Sequence, residues 1–304
     1  MYVVKMKTLI YYFAIFAVTL AGIGIIKLCS FPASVDADSM VKESPNPQSS
    51  AMLFDKSKGS EKDVPIIMYH SILRSSHSDS EYIISEADFE RDLKFLKEKG
   101  YTAIVMQDLI DFVDGKGTLP EKPIILTFDD GYFNNCSYAF PLLKKYDSKA
   151  VISIIGYYTD LYTETPDENP AYSHLTWKDI REMIDSGHIE FQNHSYNLHT
   201  IDKGRNGTKK KKGEALADYK AVLTSDLGKL QDAFKNNVGF TPTTFTYPFG
   251  SVSNDSFDII REMGFRASLS CESGMNHISE NPDDLYMLKR YLRTPKKSVQ
   301  TILE

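Results

Sequence analysis

The chain has 304 residues, with 35 Lys and Arg against 41 Asp and Glu, a formal net charge of −6 and 12% aromatic residues. That length holds one α/β domain with a substantial core as well as a membrane-proximal segment. The mildly acidic balance argues against a nucleic-acid partner.

Lys5 and Lys7 precede an uncharged apolar stretch, the 19 residues 8–26, and Lys27 follows it. At about 1.5 Å of rise per residue this is long enough to span a hydrocarbon core, and it exceeds the usual signal-peptide core. Basic residues ahead of it keep that end in the cytoplasm. Residues 1–29 are therefore expected to be an uncleaved signal anchor with the domain outside. The alternative is a cleaved signal peptide and a secreted protein, since Val35-Asp36-Ala37 is an imperfect cleavage context. Lys27 stands where a lipidation site ahead of Cys29 would need a small residue. Residues 30–62, rich in Ser, Pro, Asp and Lys, read as a flexible linker. Residues 63–304 form the domain.

In the domain, strand-like and helix-like segments alternate. The predicted strands are 65–69, 102–106, 124–128, 150–155, 189–192, 243–247, 266–269 and 285–292. The predicted helices are 86–99, 177–185, 215–234 and 256–263. In the first helix Phe89, Leu93 and Leu96 fall at helical spacing, with Ser85 to cap its start and Gly100 its end; Thr176 and Gly187 repeat the logic for the second. Such alternation implies parallel strands with crossover helices, as a barrel or an open doubly wound sheet.

The segment Ile124-Ile125-Leu126-Thr127-Phe128-Asp129-Asp130-Gly131-Tyr132 is an apolar, β-branched run ending in two carboxylates and a glycine. Adjacent carboxylates repel unless a cation or proton relieves them. An Asx-type turn closing a strand would use the same residues. A second run, 189–193, ends in His194, with His199 in the next turn. One carboxylate with two imidazoles leaves a tetrahedral ion one open position, the pattern of a catalytic site; two such histidines are also ordinary loop residues.

Taken together these segments resemble the polysaccharide deacetylases, the NodB-homology carbohydrate esterases. Thr127-Phe128-Asp129-Asp130-Gly131 resembles their first motif, His194-Ser195 with His199 the second, and Tyr247-Pro248-Phe249-Gly250 a divergent third. Val64-Pro65-Ile66-Ile67-Met68-Tyr69-His70 resembles the first strand of the branch that includes poly-N-acetylglucosamine deacetylases. The resemblance runs from about residue 63 to about residue 294. It implies a distorted (β/α) barrel with its chemistry at the C-terminal strand ends. It implies Asp130, His194 and His199 as ligands of a divalent metal ion, zinc being the ion expected, and Asp129 as general base. It also implies the Phe249 N–H as oxyanion donor and His70 as general acid, which on the residues alone is a plain strand-end histidine. The substrate implied is a polysaccharide containing N-acetylglucosamine, and the enzyme is expected to be a monomer.

Two departures stand out. Many members carry Arg three residues before the position of Phe249, where this chain has Thr246, and no late Leu-x-His motif is present. Arg290 resembles a late-strand arginine of the same branch and is the candidate to orient Asp129; a solvated strand-end charge is the competing reading. His77, His174, His188 and His277 are expected in surface or loop positions, His277 as an alternative acid. Lys209-Lys210-Lys211-Lys212 is read as a solvated loop, and Tyr157, Tyr158 and Tyr162 as a loop that could stack on sugar rings. Cys136 and Cys271 are a permitted disulfide or two buried free thiols. Three functions fit: a polysaccharide N-deacetylase, an O-acetyl esterase acting on xylan or a similar polymer, and a catalytically silent carbohydrate-binding relative.

Overall fold

The structure is a computed structural model describing residues 61–75 and 80–304. The expected anchor at residues 1–29, nearly all of the linker and His77 lie outside the described residues. No helix among the described residues is long and apolar enough to cross a membrane.

The main sheet has eight strands: β1 (Ile66–Tyr69), β2 (Thr102–Ile104), β3 (Pro123–Phe128), β4 (Ala150–Ile154), β5 (Ile189–Asn193), β6 (Thr244–Thr246), β7 (Ala267–Leu269) and β8 (Tyr291–Leu292). Their order is β7-β6-β5-β4-β3-β1-β8, every pairing is parallel, and β2 lies against the first half of β3 on the edge whose second half pairs β4. The result is an α/β fold with a curled parallel sheet. One further parallel bridge, Leu269 to Leu288, links β7 to the segment running into β8.

Burial explains the strand composition. Every residue of β3 is buried, as expected of a parallel strand covered on both faces. Ile124, Leu126 and Phe128 pack in one core with Ile67, Tyr69, Ile152 and Phe191, while Ile125 packs in another with Ile66, Val151, Ala267 and Leu269. Side chains alternate along a strand, so Thr127 and the following Asp129 share the Ile125 face.

Among the described residues eight α-helices accompany the sheet: α1 (Glu86–Glu98), α2 (Met106–Val113), α3 (Phe140–Lys145), α4 (Gly156–Glu164), α5 (Trp177–Asp185), α6 (Leu216–Val238), α7 (Ser256–Glu262) and α8 (Val299–Leu303). The caps read from sequence are present: Ser85 Oγ accepts the Asp88 N–H at 3.0 Å and Thr176 Oγ1 the Asp179 N–H at 3.2 Å.

Several expectations are corrected. The strand predicted to reach 106 ends at Ile104, because the Glu190 carboxylate accepts the N–H groups of Met106 and Gln107 (3.1 and 3.0 Å) and starts α2 there. The tyrosines 157, 158 and 162 lie on α4, whose first amides donate to the carbonyls of Ser195 and Tyr196 at 3.1 and 2.8 Å. Of the strand predicted over 285–292 only Tyr291–Leu292 forms; Pro282–Leu285 is a 3₁₀ turn and Met287 has φ of 59°. Helices α2, α3, α4 and α8 had no sequence prediction, each being short and held by tertiary contacts. Lys209–Lys212 lies in a loop, where Lys210 pairs with Asp255 at 2.6 Å.

Candidate active site

Asp129 follows β3 directly, and its N–H donates to the Tyr69 carbonyl at 3.0 Å, carrying the ladder one residue past the strand. Its carboxylate is clamped by Arg290, whose Nη1 and Nη2 donate to Oδ1 and Oδ2 at 2.7 and 2.9 Å. Arg290 is fully buried, at 0% exposure, so it is not a solvated strand-end charge. Its other donations go to the Ser270 carbonyl (2.7 Å), Thr127 Oγ1 (3.3 Å) and the Cys271 sulfur (3.8 Å). All five N–H groups of the guanidinium are thereby accounted for. Burial alone would raise the Asp129 carboxyl, but the Arg290 guanidinium, together with the nearby His194 and His70, outweighs it and the group lies well below the usual carboxylate range.

Asp130 turns back toward the same site because the chain reverses there: φ is 72° at Asp130 and 71° at Gly131. Glycine is required at 131, where a Cβ would meet Ile154 Cγ2 at 2.8 Å. His194 follows the end of β5. Its Nδ1–H donates to the Thr246 carbonyl at 2.7 Å, which leaves the Nε2 lone pair facing Asp130 Oδ1 at 3.6 Å. His199 Nε2 lies 3.3 Å from the same oxygen. Asp226 on α6 accepts the N–H groups of Tyr196 and Asn197 at 2.8 and 2.9 Å, pinning the loop between the two histidines.

These residues fit a divalent ion. One donor atom from each of Asp130, His194 and His199 lies within 4.8 Å of the others, and Asp130 Oδ1 is buried without a hydrogen-bond partner. Burial lowers the His194 imidazole to about 3 and also lowers His199, so both stay neutral and able to coordinate. Burial, with Asp129 adding to it, raises the Asp130 carboxyl to about 6.

His70 follows β1, with Nε2 3.9 Å from Asp129 Oδ2 and its carbonyl held by Asn135 Nδ2 at 2.8 Å. Phe249 has φ of 57°, and its ring centroid lies 4.1 Å from that of His199. Asp129, Asp130, His70, His194, His199, Phe249 and Arg290 are thus brought to one edge of the sheet. Thr246 bonds to Ser153 (Oγ1 to Oγ, 2.7 Å) and supplies its carbonyl to His194.

The remaining histidines separate. His174 is buried, not a surface residue; it stacks on Tyr158 at 4.4 Å and packs against Tyr132 at 4.8 Å. His277 pairs with Asp63 at 2.6 Å on the two-stranded ribbon of Lys62–Val64 and Asn276–Ile278, which enters β1 at the end opposite the catalytic edge. His188 precedes β5, where its Nδ1 meets the Ser148 carbonyl at 3.3 Å. The two domain cysteines are free; Cys136 is half-buried and Cys271 is exposed, with its sulfur turned to Arg290. Sequence reasoning passed over Asn135, Asp226 and Tyr82, which touches His70 at a centroid distance of 4.8 Å. None lies in a motif, and only spatial proximity marks them.

A curled parallel sheet presenting an arginine-clamped carboxylate beside an Asp-His-His group defines the layout of a hydrolytic enzyme. Residues 116–268 match the family model described as polysaccharide deacetylase, and the chain belongs to that family. The poly-β-1,6-N-acetyl-D-glucosamine N-deacetylase of Staphylococcus aureus (strain MSSA476) is 26% identical over 213 residues, covering 70% of this chain and 69% of that protein. The Escherichia coli (strain K12) protein of the same name is 23% identical over 266 residues, covering 78% of this chain but 40% of its own length. Among solved structures, a de-N-acetylase from Aggregatibacter actinomycetemcomitans has a TM-score of 0.68 at 25% identity, covering 79% of this chain and 98% of that one. IcaB from Ammonifex degensii has a TM-score of 0.64 at 25% identity, covering 79% and 93%.

Proposed function

We propose that this protein hydrolyses acetyl groups from N-acetylglucosamine units of an extracellular polysaccharide of the poly-β-1,6-N-acetylglucosamine type. The observation that carries the reading is the bidentate Arg290–Asp129 clamp beside Asp130, His194 and His199. A bridge between Leu269 and Leu288 supports the finer fold reading, a distorted (β/α) barrel. Residues 1–29 as anchor and 30–62 as tether would hold the domain outside the membrane.

Asp130, His194 and His199 would hold the ion, zinc by their donor chemistry. When bound it supplies Lewis-acid polarisation of the acetamide carbonyl. Asp129, kept ionised by Arg290, accepts the proton of the attacking water. Each of its oxygens keeps a lone pair beyond the arginine contact. The Phe249 N–H faces the developing oxyanion. His70 donates a proton to the departing amine. The Arg290 clamp also weighs against a silent binding relative, which has no use for a base held ionised beside a metal ligand. Ester hydrolysis would use the same groups; the names of the relatives favour the amide.

The test is acetate release by the purified protein, stripped with chelator and then given back zinc. Release from β-1,6-linked N-acetylglucosamine oligomers that depends on zinc is expected. Release from acetylated xylan alone would replace the reading with an esterase, and release from neither would overturn it. Zinc binding itself should depend on pH, because a carboxyl titrating at about 6 must lose its proton to coordinate. The apparent affinity, followed by calorimetric titration, should fall about tenfold between about pH 7 and about pH 5. A flat affinity over that range would remove Asp130 from the ligand set.

A further inference from the structure

Three partly exposed rings border the site, each against a histidine: Phe249 on His199, Tyr158 on His174 and Tyr82 on His70. Tyr82 is the most exposed of them, at 52%. Its neighbour is the histidine read above as the acid. We propose that Tyr82 is the stacking platform for the pyranose ring that carries the acetamide, and so sets affinity for sugar substrates. This rests on the deacetylase reading.

The leaving group fixes where the sugar lies. A general acid must come within hydrogen-bond reach of the atom it protonates, so the amide nitrogen sits at His70. The ring carbon bearing that nitrogen is one bond away. The sugar therefore lies against whatever borders His70, and the Tyr82 ring borders it at 4.8 Å, inclined by 65°. The position is fixed. The Tyr82 carbonyl accepts the N–H of Ser71, the residue after His70, at 3.1 Å. The next residues, Ile83–Ser85, pair in parallel with Ser71–Leu73, and Ser85 then caps α1. An aromatic ring whose backbone is held this way and which is half open to solvent suits the apolar C–H face of a sugar.

The competing role, in which Tyr82 only orients His70, predicts a different pattern. The comparison is between N-acetylglucosamine oligomers and a small acetyl ester with no sugar. Tyr82→Ala should raise KM for the oligomers about tenfold with kcat nearly unchanged. Ester hydrolysis and its pH profile should be unaffected, and Tyr82→Phe should behave as wild type. Tyr82→Trp adds an exposed indole to a chain whose single tryptophan, Trp177, is buried. Its emission should shift when oligomer is added to the metal-free protein. Equal losses on both substrates, a moved pH profile, an unchanged KM or a silent indole would each overturn the proposal. Wild-type inactivity on oligomers together with a responding indole would overturn the deacetylase reading and leave the platform in place.

Discussion

Asp129→Asn is expected to lower kcat/KM for acetate release by about 10²–10⁴-fold, the range associated with losing a positioned general base. Asparagine keeps the size of the side chain and one acceptor for Arg290, but it cannot take a proton from water. Zinc affinity should stay within a few-fold of wild type, because the ligands are Asp130, His194 and His199. The pair of measurements is decisive. A variant that binds zinc and releases acetate at the wild-type rate would move the base elsewhere. The substitution also leaves the fully buried guanidinium of Arg290 without its counter-ion, so stability must be followed in parallel. Adding Arg290→Met should restore part of that stability and none of the activity, separating fold from chemistry.

Arg290→Met is expected to destabilise the domain by about 3–5 kcal/mol at neutral pH, the cost of stranding one member of a buried ion pair. The dependence on pH has a defined sign. In the wild type, burial raises the Asp129 carboxyl, but Arg290, with His194 and His70 adding to it, more than offsets this and holds the group below its unfolded value. Its contribution is therefore present above an unfolded value near about 3.9 and is lost only as the pH falls below it. Without Arg290 the strongest influence opposing burial is gone, and the folded-state value is expected to rise above the unfolded one. The variant then gains stability as falling pH protonates Asp129. The deficit against wild type, from urea unfolding at a series of pH values, should narrow on acidification from neutrality. A deficit independent of pH would mean that Asp129 is not the group Arg290 stabilises. Activity should fall in the same variant, with the acid limb of its pH–rate profile displaced upward.

These two residues mark the boundary of what the sequence could carry. The Asp-Asp-Gly ending of an apolar run was legible because it is local: strand alternation places Asp129 on the Ile125 face, and a glycine next to a reversal permits Asp130 to turn back. The caps Ser85 and Thr176 were legible for the same reason. Arg290 was legible only as a candidate. It lies 161 residues from Asp129, and nothing local separates a buried clamp from a solvated charge. The start of α2 was misread because two of its first N–H groups are accepted by Glu190, 84 residues from Met106. His174 lies in a loop, one of the two positions expected, but its burial was not legible, because Tyr158 and Tyr162, which stack on it, come from α4, a helix with no sequence prediction.

The sequence by itself determined the family, the alternating α/β plan and the residue types at the site, since these depend on patterns within a few residues of each motif. Tertiary structure alone decided which carboxylate is held ionised and by what, and which carbonyl fixes the His194 tautomer. It also decided which exposed ring faces His70. Each of these depends on burial and on contacts between distant segments, and the strength of an ion pair or hydrogen bond is set by the surroundings that folding builds around it.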